Sequence, residues 1–330
     1  MSDKNTLLVV EDLTMEFKSA RRFLEKPKPS VKAVNDVSFE VKEGETFGLV
    51  GESGCGKTTL GKCIVRLLKP AKGKLLFNDN GEMKDLLNLD KKESQALRKK
   101  LQIVFQDPYA ALNPQHTILE AFDEPMRVHG VGGNKEQRKE LIAKALERVN
   151  LQPDYMYRYP HEFSGGQRQR ICVAKALVLE PKLIVCDEPV SALDVSIQAQ
   201  LLNLMKKLQA ELGVTFIFIA HDLSVVQYMS DRIGVMYLGN MVELADSDEL
   251  YNNTMHPYTE ALLSAVPVPV YNAKKERIIL EGDVPSPMNP PTGCPFHPRC
   301  AKCMEICKQE KPKLVEKRPG HFVACHLLNF

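Results

Sequence analysis

The residues between Gly51 and Thr59 have types and a spacing that suit the binding of a nucleoside triphosphate. They read Gly-Glu-Ser-Gly-Cys-Gly-Lys-Thr-Thr and fit the pattern G-x-x-x-x-G-K-[ST]. Glycine lets a backbone turn tightly and approach an anion, so the amide N–H groups of such a loop can face phosphate oxygens. In this pattern Lys57 reaches the β- and γ-phosphates, and the hydroxyl of Thr58 holds Mg²⁺.

The segments on both sides of this loop supply the context that the pattern needs. Before it, Thr46-Phe-Gly-Leu-Val50 is a short apolar run that predicts a buried strand. After it, apolar residues recur at helical spacing from Leu60 to Leu68, and Pro70 follows where a helix should end. A strand, a glycine-rich loop and a helix N-terminus together form the arrangement that cradles a phosphate chain.

Further polar residues stand at the ends of predicted strands or at the start of predicted helices. In chain order they are Gln106, Ser164-Gly-Gly-Gln167, Asp187-Glu188, Ser191-Ala-Leu-Asp194 and His221. Taken singly, each has a structural explanation, such as a helix cap, a solvated turn or a structural histidine. Ligands of open α/β sheets bind outside the carboxyl ends of the strands. Because these residues follow a phosphate loop in this order, we predict that they belong to one functional site.

Predicted strands alternate with predicted helices, which indicates an α/β fold with a mostly parallel core sheet. The predicted strands cover 7–17, 34–41, 46–50, 73–77, 101–105, 183–186 and 214–219, and the clearest helices cover 91–99, 135–149 and 196–212. The helical pattern from about 110 to 180 predicts an inserted helical subdomain, and the basic segment 18–31 predicts an exposed loop. Proline density rises from about 256. We therefore expect one domain over 1–255 and a small C-terminal extension over 256–330.

Composition narrows the class of protein. The chain has 330 residues, 44% hydrophobic and 26% charged, as in a globular protein with a large core. Its net charge of +2 gives no overall field that would attract nucleic acid. No apolar run is long enough to span a bilayer, and the first ten residues lack the features of a signal peptide. We expect a cytosolic location unless a partner carries the chain elsewhere.

The nine cysteines are unevenly distributed. Four stand singly in the α/β part and are interpreted as packed thiols: Cys55, Cys63, Cys172 and Cys186. Five crowd into the C-terminal region: Cys294, Cys300, Cys303, Cys307 and Cys325. In a reducing compartment such a group favours a metal over disulfides, and four thiolates suit Zn²⁺ or an iron–sulfur cluster. The close Cys300/Cys303 pair is typical of zinc sites.

The motifs resemble the nucleotide-binding subunit of an ATP-binding cassette (ABC) transporter over roughly 7–250. Phe163-Ser-Gly-Gly-Gln-Arg-Gln-Arg170 is similar to that family's signature stretch, with Phe where Leu is commoner. The resemblance implies an ATPase that couples hydrolysis to transport, with ATP bound by Gly51, Glu52, Ser53, Gly54, Cys55, Gly56, Lys57, Thr58 and Thr59. It also implies that Thr58, Gln106 and Asp187 serve Mg²⁺. Glu188 would polarise the attacking water, and His221 would contact the γ-phosphate.

The same resemblance implies a dimer in which each subunit contributes to the other's nucleotide. Ser164, Gly165, Gly166 and Gln167 would bind ATP held by the opposite subunit, and Asp194 would contact that subunit. Phe17 holds the position of the residue that stacks on adenine, although a buried strand phenylalanine is the alternative interpretation. No motif of the ATP site borrows from the C-terminal region, so we expect the site to be independent of it.

The C-terminal region resembles the extension of the oligopeptide/dipeptide importer branch. The resemblance covers about 256–327 and is carried by His256-Pro-Tyr-Thr-Glu-Ala-Leu-Leu-Ser-Ala-Val266 and Gly293-Cys-Pro-Phe-His-Pro-Arg-Cys300. In that branch, cysteines ordered like Cys294, Cys300, Cys307 and Cys325 hold a [4Fe–4S] cluster; Zn²⁺ is the alternative.

That branch also implies partners. They are a second ATPase subunit in a homo- or heterodimer, two membrane permease subunits and an extracytoplasmic solute-binding protein, with this chain at the cytoplasmic face of the membrane. Gln106-Asp-Pro-Tyr-Ala-Ala-Leu-Asn-Pro114 and Pro189-Val-Ser-Ala-Leu-Asp194 resemble the second ATPase subunit more than the first. The alternatives are an importer of nickel or another small solute, and a soluble ABC ATPase that does not transport.

Overall fold

The computed structural model describes residues 6–17, 30–266 and 277–328. Most of the loop expected at 18–31 lies outside the described residues. Over the described ranges, no helix combines the length and apolar character needed to cross a membrane.

The described strands have 3 to 12 residues and are labelled in chain order. They are β1 Thr6–Phe17, β2 Val31–Lys42, β3 Thr46–Val50, β4 Lys72–Asp79, β5 Glu82–Asp85, β6 Leu101–Val104, β7 Leu183–Asp187, β8 Thr215–Ile219, β9 Arg232–Tyr237, β10 Asn240–Asp246, β11 Val315–Arg318 and β12 His321–Val323.

The described α-helices are labelled in the same way. They are α1 Lys57–Ile64, α2 Lys91–Lys100, α3 Pro108–Ala111, α4 Ile118–Val128, α5 Lys135–Arg148, α6 Gly165–Leu177, α7 Val195–Leu212, α8 Leu223–Met229, α9 Ser247–Asn252, α10 Pro257–Ser264 and α11 Glu305–Gln309. Short 3-10 turns cover Pro153–Tyr157, Pro160–Glu162, His297–Arg299 and His326–Leu328.

The chain divides into two compact units. The first, here called the loop unit, consists of the described residues of Met1–Val41, Phe47–Leu87 and Ala220–Phe330. The second, here called the helical unit, consists of Lys42–Thr46 and Asn88–Ile219. The phosphate loop and the cysteine-rich C-terminal region belong to the same unit, although they are far apart in sequence.

The loop unit contains two runs of paired strands. One has the order β2-β1-β4-β5, with β4 antiparallel to both β1 and β5. The other has the order β11-β12-β10-β9-β3, antiparallel from β11 to β9 and parallel between β9 and β3. Strand β3 is buried along its whole length, as expected for a strand of a parallel sheet, whereas β2 buries every second residue over its last six positions.

The helical unit is built on three parallel strands in the order β8-β7-β6. Strands β7 and β8 are buried throughout. Between β6 and β7 the chain forms only helices and turns, which is the part expected to be a helical subdomain. Helices α2, α4, α5 and α6 each begin with a capping box, in which the N-cap side chain and the residue three positions later satisfy each other's amides.

The α/β fold expected from the sequence is confirmed, but its sheets mix parallel and antiparallel strands, and the hairpin of β9 and β10 was not predicted. The turn between them has Leu238 and Gly239 at positive φ, and the Asn240 side-chain amide donates to the Leu238 carbonyl at 2.6 Å. Strand β10 also carries Glu243, which is fully buried. Because this charged residue interrupts an otherwise apolar run, the hydrophobic pattern did not predict the strand.

The C-terminal region supplies the partners of that buried carboxylate and extends the same sheet. Strand β12 pairs with β10, with Glu243 opposite Val323. His321 Nε2 lies 2.9 Å from Glu243 Oε1, and the His256 amide donates to Glu243 Oε2 at 3.2 Å. Burial lowers the pKa of His321, but hydrogen bonds to Glu243 and Glu249 outweigh it and raise the pKa above its ordinary value. The extension therefore shares its packing with β9 and β10.

Candidate functional site

The phosphate loop leads from the end of β3 into the start of α1, as the sequence predicted. At two positions of the loop, only glycine can adopt the observed backbone conformation without a steric clash. Gly51 has φ 147°, and an added Cβ would lie 2.2 Å from the Met236 carbonyl oxygen. Gly56, the N-cap of α1, has φ 105°, and a Cβ there would lie 2.0 Å from the Ala33 carbonyl oxygen. The backbone of the loop thus packs directly against the carbonyl groups of Met236 and Ala33, and this close contact fixes the shape of the loop.

Lys57 is held inside this loop. Its side chain is 5% exposed, and Nζ donates to the carbonyl oxygens of Gly51 at 2.7 Å and Glu52 at 3.1 Å. Burial raises the pKa of the neighbouring Cys55 thiol, so this side chain adds no negative charge beside the ammonium. The loop therefore concentrates one positive charge within a ring of backbone groups, which suits an anion.

The remaining loop residues are more accessible. Ser53 and Gly54 are exposed, whereas Thr58 and Thr59 are half-buried in the first turn of α1. The amide of Gly239, in the turn after β9, donates to the Cys55 carbonyl at 2.9 Å. The loop thus rests on the β9–β10 turn and leaves its outer edge open to solvent.

The second loop residue, Glu52, is bound by the C-terminal region. Arg299 Nη1 donates to Glu52 Oε2 at 2.7 Å, and Nη2 donates to Oε1 at 3.2 Å. The amide of Glu52 donates to the Tyr258 hydroxyl oxygen at 2.9 Å. The expectation that the loop borrows nothing from this region is therefore wrong. Both contacting residues lie within the sequence motifs of the extension, His-Pro-Tyr and Pro-Arg-Cys, but nothing in those motifs indicated their target.

Two other predicted site residues of the loop unit stand at strand ends. Phe17 ends β1 and is 43% exposed, so the interpretation of a buried strand phenylalanine is wrong. His221 follows β8 after Ala220 and is exposed. A stacking role for Phe17 and a phosphate contact for His221 stay predictions.

In the helical unit, Asp187 and Glu188 stand at the carboxyl end of β7. Asp187 is 5% exposed, and Glu188 has φ 47°, a left-handed conformation that is uncommon for a residue with a Cβ. Gln106 Nε2 donates to Glu188 Oε2 at 2.8 Å. The hydroxyl of Ser191 donates to the Glu188 carbonyl at 3.1 Å. The structure thus brings together Gln106 and Glu188, two residues that the sequence placed in one site.

The signature stretch forms the exposed N-terminus of α6. Ser164 caps the helix, since its hydroxyl accepts from the Gln167 amide at 3.3 Å and its own amide donates to Gln167 Oε1 at 3.0 Å. A Cβ on Gly166 would lie 2.5 Å from Ile197 Cγ2, so this glycine allows α6 to pack on α7. Gly165 is half-buried, and Asp194, the N-cap of α7, is exposed. Ser164 and Asp194 thus present polar groups to solvent.

Four C-terminal cysteines lie close enough to influence one another's ionisation. Burial, with smaller contributions from Cys307, Cys325 and Cys300, raises the pKa of Cys294 to about 12. Burial also raises the pKa of Cys325, with Cys300 and Cys307 adding to it, and that of Cys300, with Cys303 and Cys307 adding to it. Every pair among these four therefore interacts.

The fifth cysteine, Cys303, interacts with two members of that group. It raises the pKa of Cys300, and Cys307 adds to the effect of burial in raising the pKa of Cys303 itself. Within the part of the chain that the structure describes, no three His, Cys, Asp or Glu side chains are arranged to hold a single metal ion.

Comparisons with known proteins agree with this geometry. A family model described as ABC transporter matches residues 34–191, and one described as oligopeptide/dipeptide transporter, C-terminal region, matches 242–307. The chain is 53% identical over 323 residues to the putative oligopeptide transport ATP-binding protein YkfD of Bacillus subtilis (97% of this chain, 95% of the relative). It is 49% identical to the oligopeptide transport ATP-binding protein OppF of Haemophilus influenzae (98% of each).

Solved structures are also similar. The ATP-binding cassette MJ0796, in a dimeric post-hydrolysis state bound to ADP and Pi, has a TM-score of 0.62 and 28% identity, covering 73% of this chain and 99% of that chain. The structure of cbiO1 from Clostridium perfringens has a TM-score of 0.63 and 26% identity, covering 76% of this chain and 92% of that chain.

Proposed function

Because this chain belongs to the ABC transporter family, we propose that it is an ATPase subunit that powers the import of oligopeptides or dipeptides. The observation that carries the proposal is the phosphate loop, whose backbone requires glycine at positions 51 and 56 and encloses the buried ammonium of Lys57. The match of residues 242–307 to the C-terminal region of oligopeptide/dipeptide transporters supports the class of solute. Relatives of nearly the same length carry the words oligopeptide transport in their names.

In the proposed reaction, the loop unit binds and neutralises the phosphate chain. Lys57 would exchange its contacts with loop carbonyls for phosphate oxygens, which places a positive charge where negative charge develops. Thr58, Gln106 and Asp187 would hold Mg²⁺, which when bound would supply further neutralisation of that charge. His221 would contact the γ-phosphate. Hydrolysis of this kind needs positioning and charge neutralisation rather than a covalent intermediate.

Glu188 would act on the attacking water. A carboxylate near the reacting centre orients water by accepting its proton in a hydrogen bond. The Gln106 amide, 2.8 Å from Glu188 Oε2, fixes the direction of that carboxylate and, being neutral, leaves its charge intact. The left-handed backbone of Glu188 also restricts where its side chain can point.

We further propose that the signature stretch serves a second ATPase subunit. The exposed N-terminus of α6, a helix of 13 residues, offers amide groups and a helix dipole that suit a phosphate. Ser164, Gly165, Gly166 and Gln167 would bind the partner's ATP, and Asp194 would contact the partner. The complete importer would include two permease subunits and a solute-binding protein, with this chain at the cytoplasmic face.

Peptide uptake tests the solute. In cells of the source organism from which this chain is deleted, uptake of a radiolabelled tripeptide should fall to background, and expression of the wild-type chain should restore it. The matched control is the chain with Glu188→Gln, which should not restore uptake. Normal tripeptide uptake in the deletion strain, with loss of nickel uptake instead, would favour the alternative importer class.

We also propose that Cys294, Cys300, Cys307 and Cys325 hold a [4Fe–4S] cluster. The mutual influence of these four thiols supports their grouping. Cys303 is left out because the order Cys294, Cys300, Cys307 and Cys325 is the one that the family resemblance implies. Four thiolates are the usual ligands of such a cluster. Its role would be structural, because a segment with few hydrophobic residues gains stability from a bound metal group.

Anaerobic purification tests the cluster. The protein should be brown and should contain roughly four irons per chain and little zinc. Replacing any one of the four cysteines with Ser should bleach the colour, whereas the matched control Cys303→Ser should keep it. A colourless protein with one tightly bound zinc would establish the zinc site. Colour lost in Cys303→Ser but kept in Cys294→Ser would mean that the ligand set is wrong.

A further inference from the structure

The C-terminal region reaches the phosphate loop through two side chains that contact the same loop residue. Arg299 holds the Glu52 carboxylate with two hydrogen bonds of 2.7 and 3.2 Å, and Tyr258 accepts from the Glu52 amide at 2.9 Å. These contacts bridge more than 200 residues of sequence within one compact unit. The side chain of Arg299 is only 8% exposed, and that of Glu52 is 27% exposed. The pair is therefore shielded from solvent on the arginine side.

Both contacts are anchored in a rigid surrounding. Tyr258 is fully buried and packs edge-on against Tyr237, with ring centroids 4.7 Å apart, while Phe296 lies 5.3 Å from both rings. Phe296 precedes the 3-10 turn His297–Arg299 that carries the guanidinium. Packed aromatic rings of this kind hold neighbouring polar groups in fixed positions. The packing of these aromatic rings in the core of the loop unit thus orients Arg299 towards the phosphate loop.

The chemistry of the pair bears on anion binding. Glu52 brings a negative charge into a loop that must accept a triphosphate, and like charges at short range oppose each other where solvent is partly excluded. A guanidinium matches a carboxylate with two parallel hydrogen bonds, which fixes its direction as well as balancing its charge. With Arg299 in place, the positive charge of Lys57 remains for the phosphates.

We propose that Arg299 is a positioning residue of the ATP site, which neutralises and orients Glu52 so that the C-terminal extension sets the affinity of the loop for ATP. This inference rests on the proposed function, since it requires that residues 51–59 bind ATP. Arg299 lies in the turn between Cys294 and Cys300, and the Cys294 carbonyl accepts from the His297 amide at 3.1 Å. Loss of order around those cysteines would therefore withdraw Arg299 and weaken ATP binding.

Equilibrium binding of ATP to the full chain tests the proposal. In Arg299→Ala the dissociation constant for ATP should rise about tenfold, which corresponds to about 1.4 kcal/mol, while the turnover number at saturating ATP stays within about twofold. The matched control is Lys302→Ala, which removes an exposed ion pair with Glu260 (2.9 Å) in the same region. Its ATP affinity should equal that of the wild type.

A second variant separates this role from a general loss of structure. In the double variant Arg299→Ala with Glu52→Ala, no uncompensated carboxylate remains, so ATP affinity should return to within about threefold of the wild type. If Arg299 only held the extension together, the second substitution would recover nothing. An unchanged affinity in Arg299→Ala, or no recovery in the double variant, overturns the inference. A wild-type chain that fails to bind ATP would overturn the proposed function instead.

Discussion

Replacing Glu188 with Gln should lower ATP turnover at least about a hundredfold and leave ATP binding nearly unchanged, since a positioned general base typically contributes that much. The substitution keeps the size of the side chain, and its amide oxygen can still accept the hydrogen bond from Gln106 Nε2. What it loses is the negative charge that orients water. Steady-state hydrolysis and equilibrium ATP binding on the same preparation measure the two effects.

The variant should also trap a dimer, because ATP stays intact between the subunits. An earlier elution in size-exclusion chromatography with ATP, absent without it, would report this. The matched control is Glu180→Gln, since Glu180 is an exposed glutamate of the helical unit that also has a positive φ, 53°. It should turn over ATP at the wild-type rate. Wild-type turnover in Glu188→Gln would remove Glu188 from the catalytic role.

Lys57→Ala should weaken ATP binding itself, by about a hundredfold or about 2.7 kcal/mol, as expected for the loss of a charged hydrogen-bond donor from a phosphate site. Nζ is buried and also donates to the carbonyls of Gly51 and Glu52. The substitution therefore removes both the positive charge and the two hydrogen bonds that hold the loop together. Equilibrium binding of labelled ATP to the isolated chain measures the loss.

The informative comparison is Ser164→Arg, which should leave ATP binding by the isolated chain intact and block hydrolysis. Ser164 is exposed and belongs to the helical unit, and its proposed target is the nucleotide of the other subunit. The substitution also removes a helix cap, so Thr117→Arg, which removes the equivalent cap of α4, serves as the control and should keep turnover. Equal losses of ATP binding in Ser164→Arg and Lys57→Ala would contradict the cross-subunit assignment.

Local patterns predicted the elements that position the candidate site, whereas contacts between distant segments escaped them. Strand β3, the glycine loop and α1 were read from neighbouring residues, and β7 and β8 from unbroken apolar runs. Strand β10 was missed because it buries Glu243, whose partner His321 lies 78 positions later. The role of Arg299 was also missed, because its contact with Glu52 joins two segments that are 247 positions apart in the sequence. The roles of the individual site residues stay predictions.

The division of the loop unit along the chain has a consequence for protein synthesis. Strand β3 and the phosphate loop leave the ribosome first, but their neighbours β9, β10 and Arg299 are translated only after the whole of Asn88–Ile219. The helical unit is nearly continuous in sequence and can fold while translation proceeds. The buried apolar strand β3 must wait for β9, and closing such a long stretch of chain slows their pairing. We therefore expect nascent chains to depend on chaperones until the last hundred or so residues have emerged, and to acquire ATP binding as the final step of folding.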